Sequence, residues 1–203
     1  MNRSKSKQID FFQRIYLDES PIWEIDRPQK AVMDLLDNGE FKGKVVDLGC
    51  GTAENAIILS KQGFEVVGID VSSKAIEIAK LKADANKAEL KLICADLLEY
   101  DFQNVQFDTI LDSGVFHGFS DIARNKYRKV LERIVSPEGR CHIIAWNEFE
   151  PGVDGPRRIT RHEIKEIFAK GWTDISIRQT IYETTAHSDG ASAWIASMTK
   201  IGN

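Results

Sequence analysis

Short apolar runs alternate with amphipathic segments over residues 44–147, and this alternation constrains the fold more than any other feature of the sequence. The runs have the length of buried strands, and the segments between them carry apolar residues at helical spacing. Strands and helices that alternate in this way pair in parallel through right-handed crossovers, which predicts an open α/β sheet. The predicted strands of this region are Lys44–Leu48, Glu65–Ile69, Leu90–Cys94, Phe107–Leu111 and Arg140–Trp146.

The remaining segments complete the α/β pattern. Ser72 or Ser73 is suited to cap the helix that follows it, and Thr160 and Glu163 have the spacing of a capping box. The apolar residues on or near one face of the helix after Ser73 are Ile76, Ile78, Ala79 and Leu81. The predicted helices are Ala53–Gln62, Ser73–Ala85, Asp121–Val135, which Pro137 and Gly139 close, and Thr160–Lys170. The two final predicted strands are Trp172–Tyr182 and Ser192–Lys200.

The length and composition fit a single globular domain. The chain has 203 residues, of which 42% are hydrophobic and 29% are charged, and such proportions are ordinary for a globular enzyme. They argue against a disordered, collagen-like or disulfide-rich chain. Residues 1–43 are polar and helix-like and are expected to form an N-terminal helical cap on a domain that spans residues 44–203. The three cysteines, Cys50, Cys94 and Cys141, form no CxxC pair and are expected to be small buried hydrophobes in a reducing compartment.

The charge and hydropathy of the chain bear on its partners. A net charge of −4 argues against strong bulk attraction to nucleic acid or to an anionic membrane. No run approaches the roughly 18 to 20 apolar residues of a membrane span, and no apolar stretch follows the polar N-terminus. The sequence is therefore interpreted as that of a cytoplasmic protein, a monomer or homodimer, with no nucleic-acid or membrane partner expected.

Acidic residues stand at or just past the ends of four predicted strands. They are Asp47, Asp70, Asp96 and Asp112. Although aspartate is common in turns, ligands of open α/β sheets bind beyond the carboxyl ends of the strands. Four acidic residues at four such ends therefore predict one wall of a ligand pocket.

A glycine-rich turn, Gly49-Cys50-Gly51, follows the first strand and leads into a helix. Glycines allow close approach of a ligand, and a helix start offers free N–H groups. A dinucleotide fingerprint would place a third glycine at position 54, which holds Glu54. Because a carboxylate there would repel a diphosphate, the turn favours a ligand without phosphates, such as S-adenosylmethionine (SAM).

The order and spacing of these motifs resemble those of class I SAM-dependent methyltransferases, over roughly residues 20–200. The matching motifs are Asp47-Leu48-Gly49-Cys50-Gly51, Gly68-Ile69-Asp70-Val71-Ser72, Cys94-Ala95-Asp96-Leu97, Ile110-Leu111-Asp112-Ser113-Gly114 and the link Val135–Arg140. One departure is Ala53, where many members carry a third glycine. The resemblance implies a Rossmann-like fold, with a seven-stranded, mostly parallel sheet, an antiparallel last strand and helices on both faces.

The same resemblance implies cofactor roles for individual residues. Asp47 and the backbone of Gly49, Cys50 and Gly51 would face the methionine end of SAM. Asp70 would accept both ribose hydroxyls, while Val71, Asp96 and Leu97 would hold the adenine. Turn capping by the aspartates and core packing by the apolar residues are the structural alternatives. Asp112 is a further candidate for the cofactor side and for catalysis.

The N-terminal segment Pro21–Gln29 resembles the segment that folds over the cofactor in small-molecule methyltransferases, including the thiopurine and the halide/thiol enzymes. Trp23 is carried over as a stacking or packing lid. Arg27 is carried over as a partner of the methionine carboxylate, because a guanidinium binds carboxylates in a bidentate manner. A core anchor for Trp23 and a surface ion pair for Arg27 are the alternatives.

The residues after the fourth and fifth strands are expected to line the acceptor side. Phe116 and Phe119 suggest an apolar pocket, and His117 is the candidate proton acceptor, with a structural imidazole as its alternative. Ser113, Trp146 and Arg157 are the other candidate substrate contacts. No third ligand accompanies Asp112 and Asn147, so no metal site is assigned.

The leading hypothesis is therefore a SAM-dependent methyltransferase that methylates an S, O or N atom of a small molecule by in-line displacement. Two alternatives remain open. An RNA or protein methyltransferase would use the basic cluster Arg157–Arg161, and a non-catalytic SAM-binding module would bind SAM without turnover.

Overall fold

The computed structural model describes residues 3–18 and 21–202. Seven strands form one sheet in the order β3-β2-β1-β4-β5-β7-β6. The strands are β1 Lys44–Leu48, β2 Glu65–Asp70, β3 Leu90–Cys94, β4 Phe107–Ser113, β5 Val135–Trp146, β6 Trp172–Tyr182 and β7 Ala191–Lys200. Strand β7 lies antiparallel between β5 and β6, while the β1, β2, β3, β4 and β5 pairings are all parallel. The predicted seven-stranded, mostly parallel sheet with an antiparallel last strand is confirmed.

Helices cover both faces of the sheet. They are α1 Arg3–Asp18, α2 Lys30–Asp37, α3 Glu54–Lys61, α4 Ser73–Asn86, α5 Asp121–Ile134 and α6 Arg161–Ile167, with a short 3-10 helix at Phe116–Gly118. Helices α2, α3 and α4 share one apolar cluster with Val45, whereas α5 and α6 share the other with Val46 and Leu48. Because neighbouring residues of a strand point to opposite faces, these two clusters lie on opposite sides of the sheet. Helix α1 lies against α4.

The local signals that begin the helices act as expected. The Ser72 hydroxyl accepts the N–H of Ala75, and Thr160 and Glu163 form the reciprocal capping box that opens α6. The predicted face of α4 is partly wrong, because Leu81 is 65% exposed. Its buried residues are Ala75, Ile76, Ala79 and Ala83, so three alanines and one of the predicted large residues form the buried face.

The junction between α5 and β5 differs from the prediction. Helix α5 ends at Ile134, and β5 begins at Val135 rather than at Arg140. Val135 pairs with Phe107, and the register then shifts so that Arg140 pairs with Thr109. The Ser136 hydroxyl donates to the carbonyl of Phe107 at 3.0 Å, so the strand includes the proline and glycine that we expected only to close the preceding helix.

The cysteine prediction holds for two residues of three. Cys50 and Cys141 are buried, but Cys94 is exposed. Cys94 ends β3, which is an edge strand of the sheet, so its side chain has no neighbouring strand to cover it. None of the helices in the described ranges is long and apolar enough to cross a membrane.

Candidate active site

The glycine turn after β1 leaves no room for side chains at two positions. Gly49 and Gly51 adopt φ values of +70° and +55°, the region that favours glycine. A Cβ at Gly49 would overlap Val115, and a Cβ at Gly51 would lie 2.8 Å from Glu24 Oε1 and from the Tyr16 hydroxyl. Ala53 also has a positive φ, +73°, where many members of the resembling family carry glycine. The turn is therefore shaped by backbone conformation and by close neighbours.

Asp70 ties the end of β2 to this turn. Its Oδ2 accepts the Gly51 N–H at 3.0 Å and its Oδ1 accepts the Ser72 N–H at 2.7 Å. Burial raises the pKa of Asp70, and these backbone hydrogen bonds oppose that rise. The carboxylate is thus held in one orientation at the carboxyl edge, with lone pairs left for ribose hydroxyls.

The predicted adenine contacts lie at the next strand ends. Asp96 Oδ1 accepts the N–H of Leu98 at 2.9 Å, which is the turn-capping arrangement. Leu97 is buried in the apolar cluster of the α5 face, and the carbonyl of Val71 accepts from Gln13 Nε2 at 3.1 Å. The structural alternatives are present at these residues, and the adenine roles stay predictions.

Two buried side-chain oxygens near the turn have no hydrogen-bond partner among the described residues. They are Asp47 Oδ2 and Ser113 Oγ. Asp47 pairs with Leu111 in the sheet, and Ser113 lies two residues further along β4, so both side chains point to the same face. Buried polar groups are nearly always hydrogen-bonded. The two oxygens are therefore free to accept hydrogen bonds from, or donate them to, groups that the described residues do not supply.

The Asp47 carboxyl is also unusual in its electrostatics. It is 1% exposed. Burial raises its pKa to about 8, and the charges of Asp112, Asp70 and Glu54 act in the same direction. A positively charged ligand group beside Asp47 would relieve both effects.

Residues 21–29, named the strap below, lie over the glycine turn. Trp23 Nε1 donates to the Tyr16 hydroxyl at 2.9 Å, and that hydroxyl donates to Glu24 Oε1 at 2.9 Å. The Thr185 N–H donates to the carbonyl of Ile22 at 2.8 Å. These contacts hold Trp23 against α1 and join the strap to the loop that follows β6.

Arg27 does not face the glycine turn. Its guanidinium donates to Glu183 Oε2 at 2.8 Å, and its side chain is 56% exposed. Gln29 and Glu183 bond reciprocally, side chain to backbone, at 2.9 Å in both directions. Arg27 therefore makes the surface ion pair that was the alternative, and its carboxylate-binding role stays a prediction.

Sequence reasoning did not single out Glu24, Tyr16 or Glu183. Glu24 stood inside the recognised segment, but nothing local distinguished its carboxylate from the exposed one of Asp26. Their partners lie as far as 156 residues away in the sequence, so no spacing signal was available.

His117 is not placed to act as a proton acceptor. It is buried, and its Nδ1 accepts the backbone N–H of Trp146 at 3.0 Å. Burial lowers its pKa to about 3, against a hydrogen bond with the Gly114 backbone that favours the charged form. An imidazole whose Nδ1 accepts carries its proton on Nε2. His117 is thus a neutral structural imidazole that joins the 3-10 helix to the end of β5, which corrects the expected base.

Phe116 and Asp112 likewise serve the structure in this arrangement. Phe116 is fully buried, with its ring centroid 5.9 Å from that of Phe168 in the core, so it does not line an acceptor pocket. Asp112 accepts the Val115 N–H at 2.8 Å and the Tyr127 hydroxyl at 2.9 Å. Burial raises the pKa of Asp112 to about 6, while these bonds lower it. Both oxygens are turned to the 3-10 helix region and α5, and the catalytic role is left without geometric support.

Trp146 forms an aromatic wall at the end of β5. Its ring centroid lies 6.3 Å from those of His117 and of His187, and the Arg158 guanidinium lies 5.0 Å from it. The Tyr182 hydroxyl donates to the Ser113 carbonyl at 3.3 Å. The His117 ring lies next to the rings of both Trp146 and Tyr182, and this group with Ser113 is called the acceptor wall below, after its predicted role.

The loop after β5 places its two adjacent arginines differently from the prediction. Arg157 pairs with Asp121 and Glu163, away from Trp146. Arg158 instead lies over the tryptophan and donates to loop carbonyls, which belong to Glu150, Pro151, Asp154 and Pro156. Arg158, not Arg157, is the arginine of the acceptor wall. In the described ranges, no group of three or more His, Cys, Asp or Glu side chains is arranged to hold a metal.

Comparison with known proteins identifies relatives of this arrangement. A family model described as a methyltransferase domain matches residues 45–139. The 2-heptyl-1-hydroxyquinolin-4(1H)-one methyltransferase of Mycobacteroides abscessus is 29% identical over 96% of this chain and 91% of its own length. An uncharacterized methyltransferase of Schizosaccharomyces pombe is 31% identical over 57% of this chain and 80% of its own length.

Solved structures share the fold. One, reported for the conversion of a disulfide bond into a thioacetal group during echinomycin biosynthesis, has a TM-score of 0.85 and 29% identity, and covers 96% of this chain and 94% of the other. The 1,6-didemethyltoxoflavin-N1-methyltransferase of Burkholderia thailandensis has a TM-score of 0.71 at 18% identity over 98% and 86% of the two chains. Because the segment matched by the family model contains the glycine turn and all four acidic strand ends, the chain belongs to the class I SAM-dependent methyltransferases.

Proposed function

We propose that this enzyme methylates an oxygen, sulfur or nitrogen atom of a small, flat aromatic acceptor that binds against Trp146. The observation that carries the proposal is the pair of unpartnered buried oxygens, Asp47 Oδ2 and Ser113 Oγ, on one face between the glycine turn and Trp146. One suits the charged donor and the other suits a polar group on the acceptor.

The residues around the turn fit SAM. The unpartnered carboxylate of Asp47 suits its positive charge, the glycines leave the space that side chains would fill, and Asp70 suits its ribose. When bound, SAM supplies an activated methyl group on its sulfonium. The chain has to orient donor and acceptor in line and exclude water, and the strap over the turn serves both needs.

The acceptor wall favours an acceptor that is ionised before it binds. His117 is neutral with its Nδ1 occupied, and the Tyr182 hydroxyl donates to a carbonyl. Neither is placed to take a proton, so thiols and acidic hydroxyls suit the site better than ordinary phenols, whose pKa is about 10. The Mycobacteroides relative is named for a hydroxyquinolinone, which is a flat acceptor of this kind.

The alternative of an RNA or protein methyltransferase depended on a free basic cluster at Arg157–Arg161. Of the basic cluster, Arg157 is paired with two carboxylates, Arg158 is bound to loop carbonyls, and Arg161 lies 4.1 Å from the centroid of the Trp194 ring. The cluster is not a free basic patch. A cytoplasmic location and a monomeric or homodimeric state belong to the proposal, and light scattering tests the latter.

A methylation screen tests the function. Purified enzyme and SAM are incubated with thiols, phenols, N-hydroxylated heteroaromatics and aromatic amines, and release of S-adenosylhomocysteine is measured. We expect turnover with at least one flat acidic acceptor. SAM binding by calorimetry without turnover on the whole panel would leave the non-catalytic module as the better description.

A further inference from the structure

The strap places a second buried carboxylate beside the glycine turn. Glu24 Oε1 accepts the Tyr16 hydroxyl at 2.9 Å and the Thr52 N–H at 3.3 Å, and Oε2 contacts the Thr52 hydroxyl. The same Oε1 lies 2.8 Å from the position that a Cβ on Gly51 would occupy. Glu24 therefore reaches the turn from the strap side, whereas Asp47 reaches it from the sheet.

Both carboxylates act on the same neighbours. Burial raises the pKa of Cys50, and the charges of Asp47, Asp70 and Glu24 add to the rise. Burial also raises the pKa of Tyr182, and Glu24, Asp112 and Asp47 act on it in the same direction. Ile22 and Trp23 of the strap pack on the apolar cluster that contains Val45 and Tyr182, and Asp47, two residues after Val45 in β1, points to that same face. Glu24 and Asp47 thus lie on one side of the sheet, next to the turn.

The cations near these two carboxyl groups are paired with other acidic residues. Lys82 pairs with Glu54 and lies 3.1 Å from Asp26, while Arg27 pairs with Glu183. Among the residues that the structure describes, no cation is paired with Asp47, and one oxygen of its carboxylate has no partner at all. The space between the two carboxyl groups therefore has no countercharge among the described residues, and a bound cation would favour the ionised form of Asp47.

We infer that Glu24 and Asp47 form a two-sided clamp for the sulfonium charge of SAM, and that this clamp makes the site prefer SAM over its product, S-adenosylhomocysteine. The inference rests on the proposed function. S-Adenosylhomocysteine shares the adenosine and amino-acid groups of SAM but lacks the sulfonium charge. Interactions with the shared groups contribute equally to both affinities and therefore cancel in their ratio. The interaction of the clamp with the sulfonium charge contributes to SAM binding only, so it changes the ratio.

Calorimetry on three proteins tests the clamp. The proteins are wild type, Glu24→Gln and the control Asp26→Asn, which removes an exposed carboxylate from the same strap. Each is titrated with SAM, S-adenosylhomocysteine and sinefungin, which carries an amine where SAM has the methylsulfonium. We expect Glu24→Gln to weaken SAM and sinefungin about tenfold and S-adenosylhomocysteine by less than about threefold. Asp26→Asn is expected to leave all three within about twofold, because surface substitutions have small effects.

If Glu24→Gln weakened the binding of SAM and of S-adenosylhomocysteine equally, the clamp would be overturned. Glu24 would then serve only to hold the strap in place by its hydrogen bonds. If the wild type bound none of the three ligands, the proposed function itself would fail.

A measurement on the wild type covers the case in which Glu24→Gln does not fold. Burial raises the pKa of Glu24, and neighbouring Glu54 adds to this rise while Thr52, Tyr16 and Lys82 oppose it. Asp47, with its pKa of about 8, faces Asp112, Asp70 and Glu54. The preference for SAM over S-adenosylhomocysteine should therefore grow as pH rises from 6 to 9. A preference that stays constant over this range would contradict the clamp.

Discussion

The two halves of the carboxyl edge are built from contacts of different range. At the cofactor half, Asp70 binds Ser72 two residues away and Gly51 nineteen residues away. At the acceptor half, Tyr182 binds Ser113 across 69 residues, and the strap binds the loop after β6 across 154 residues. The glycine turn of the cofactor half is thus a local construction of β1, β2 and the turn and helix between them, whereas the acceptor half exists only once distant segments have packed together.

The largest effect is expected from Gly51→Ala, which breaks the local half. A Cβ would lie 2.8 Å from Glu24 and Tyr16 at a positive φ, so SAM affinity should fall more than about 100-fold, with about 1 kcal/mol lost from the free energy of unfolding. Calorimetry and thermal unfolding measure the two quantities. Gly63→Ala is the control, because Gly63 also has a positive φ but open space around it. Equal SAM affinity in both variants would show that the turn does not hold the cofactor.

Asp70→Ala tests the acidic strand end within the same half. Loss of a charged hydrogen-bond acceptor should weaken SAM binding by about 1 to 3 kcal/mol. Asp108→Ala is a comparison, because Asp108 is also an aspartate bonded to backbone, accepting the Lys44 N–H at 2.8 Å, but lies at the start of β4. A loss of SAM affinity in both variants would point to general destabilisation instead of ribose binding.

Arg158→Gln breaks the acceptor half. Removing the guanidinium frees the loop carbonyls that it binds and removes its contact with Trp146, so the KM for the acceptor should rise about tenfold while the SAM affinity stays unchanged. Steady-state kinetics with the best acceptor of the screen provide the measurement. Arg157→Gln, one residue away, is the matched control and should change this KM within about twofold. The reverse order of effects would restore Arg157 as the substrate contact.

The smallest effect on activity is expected from His117→Asn. Asparagine keeps an acceptor for the Trp146 N–H, so kcat should fall less than about tenfold, whereas losing a general base costs about 10² to 10⁴. A larger fall, with loss of a pH step near neutrality, would reinstate His117 as the base.

The His117→Asn variant also tests how His117 affects the pH dependence of the free energy of unfolding. The pKa of His117 is lowered from 6.5 to about 3 by burial, so the unfolded chain takes up a proton below about pH 6.5 and the folded chain does not. Stability is therefore lost as pH falls, and His117→Asn should remove about 1 to 2 kcal/mol of the decrease between pH 7 and pH 5. Denaturant unfolding at the two pH values measures it.

The contrast in contact range also explains what the sequence predicted. The strands, the mostly parallel sheet, the capping box and the glycine turn depend on periodicity and on residues a few positions apart, and these were confirmed. His117 was misjudged because the atom that occupies its Nδ1 is a backbone N–H of Trp146, 29 residues away. Since every residue except proline has a backbone N–H group, the composition of a segment does not indicate which of these groups a side chain will bind.

The errors near the acceptor have the same cause. Arg157 and Arg158 are adjacent residues of the same type, so the sequence does not indicate which of them contacts Trp146. The path of the loop determines this. Phe116 was expected to line a pocket because it follows a strand end. In the structure it packs in the core against Phe168, the residue that directly follows α6. Which face a side chain takes is settled by partners that a linear pattern does not name.

The pairing of the strap with Glu183 and Thr185 has a consequence for the order of assembly. During synthesis the glycine turn emerges early and can form with β1 and β2, but the strap finds its partners in the loop after β6 only after more than 150 further residues have been made. A nascent or truncated chain that stops before Glu183 would keep the contacts of the strap with Tyr16 and Thr52 but lack those with this loop. The contacts between the strap and this loop therefore form only after the loop that joins β6 and β7 has been synthesised.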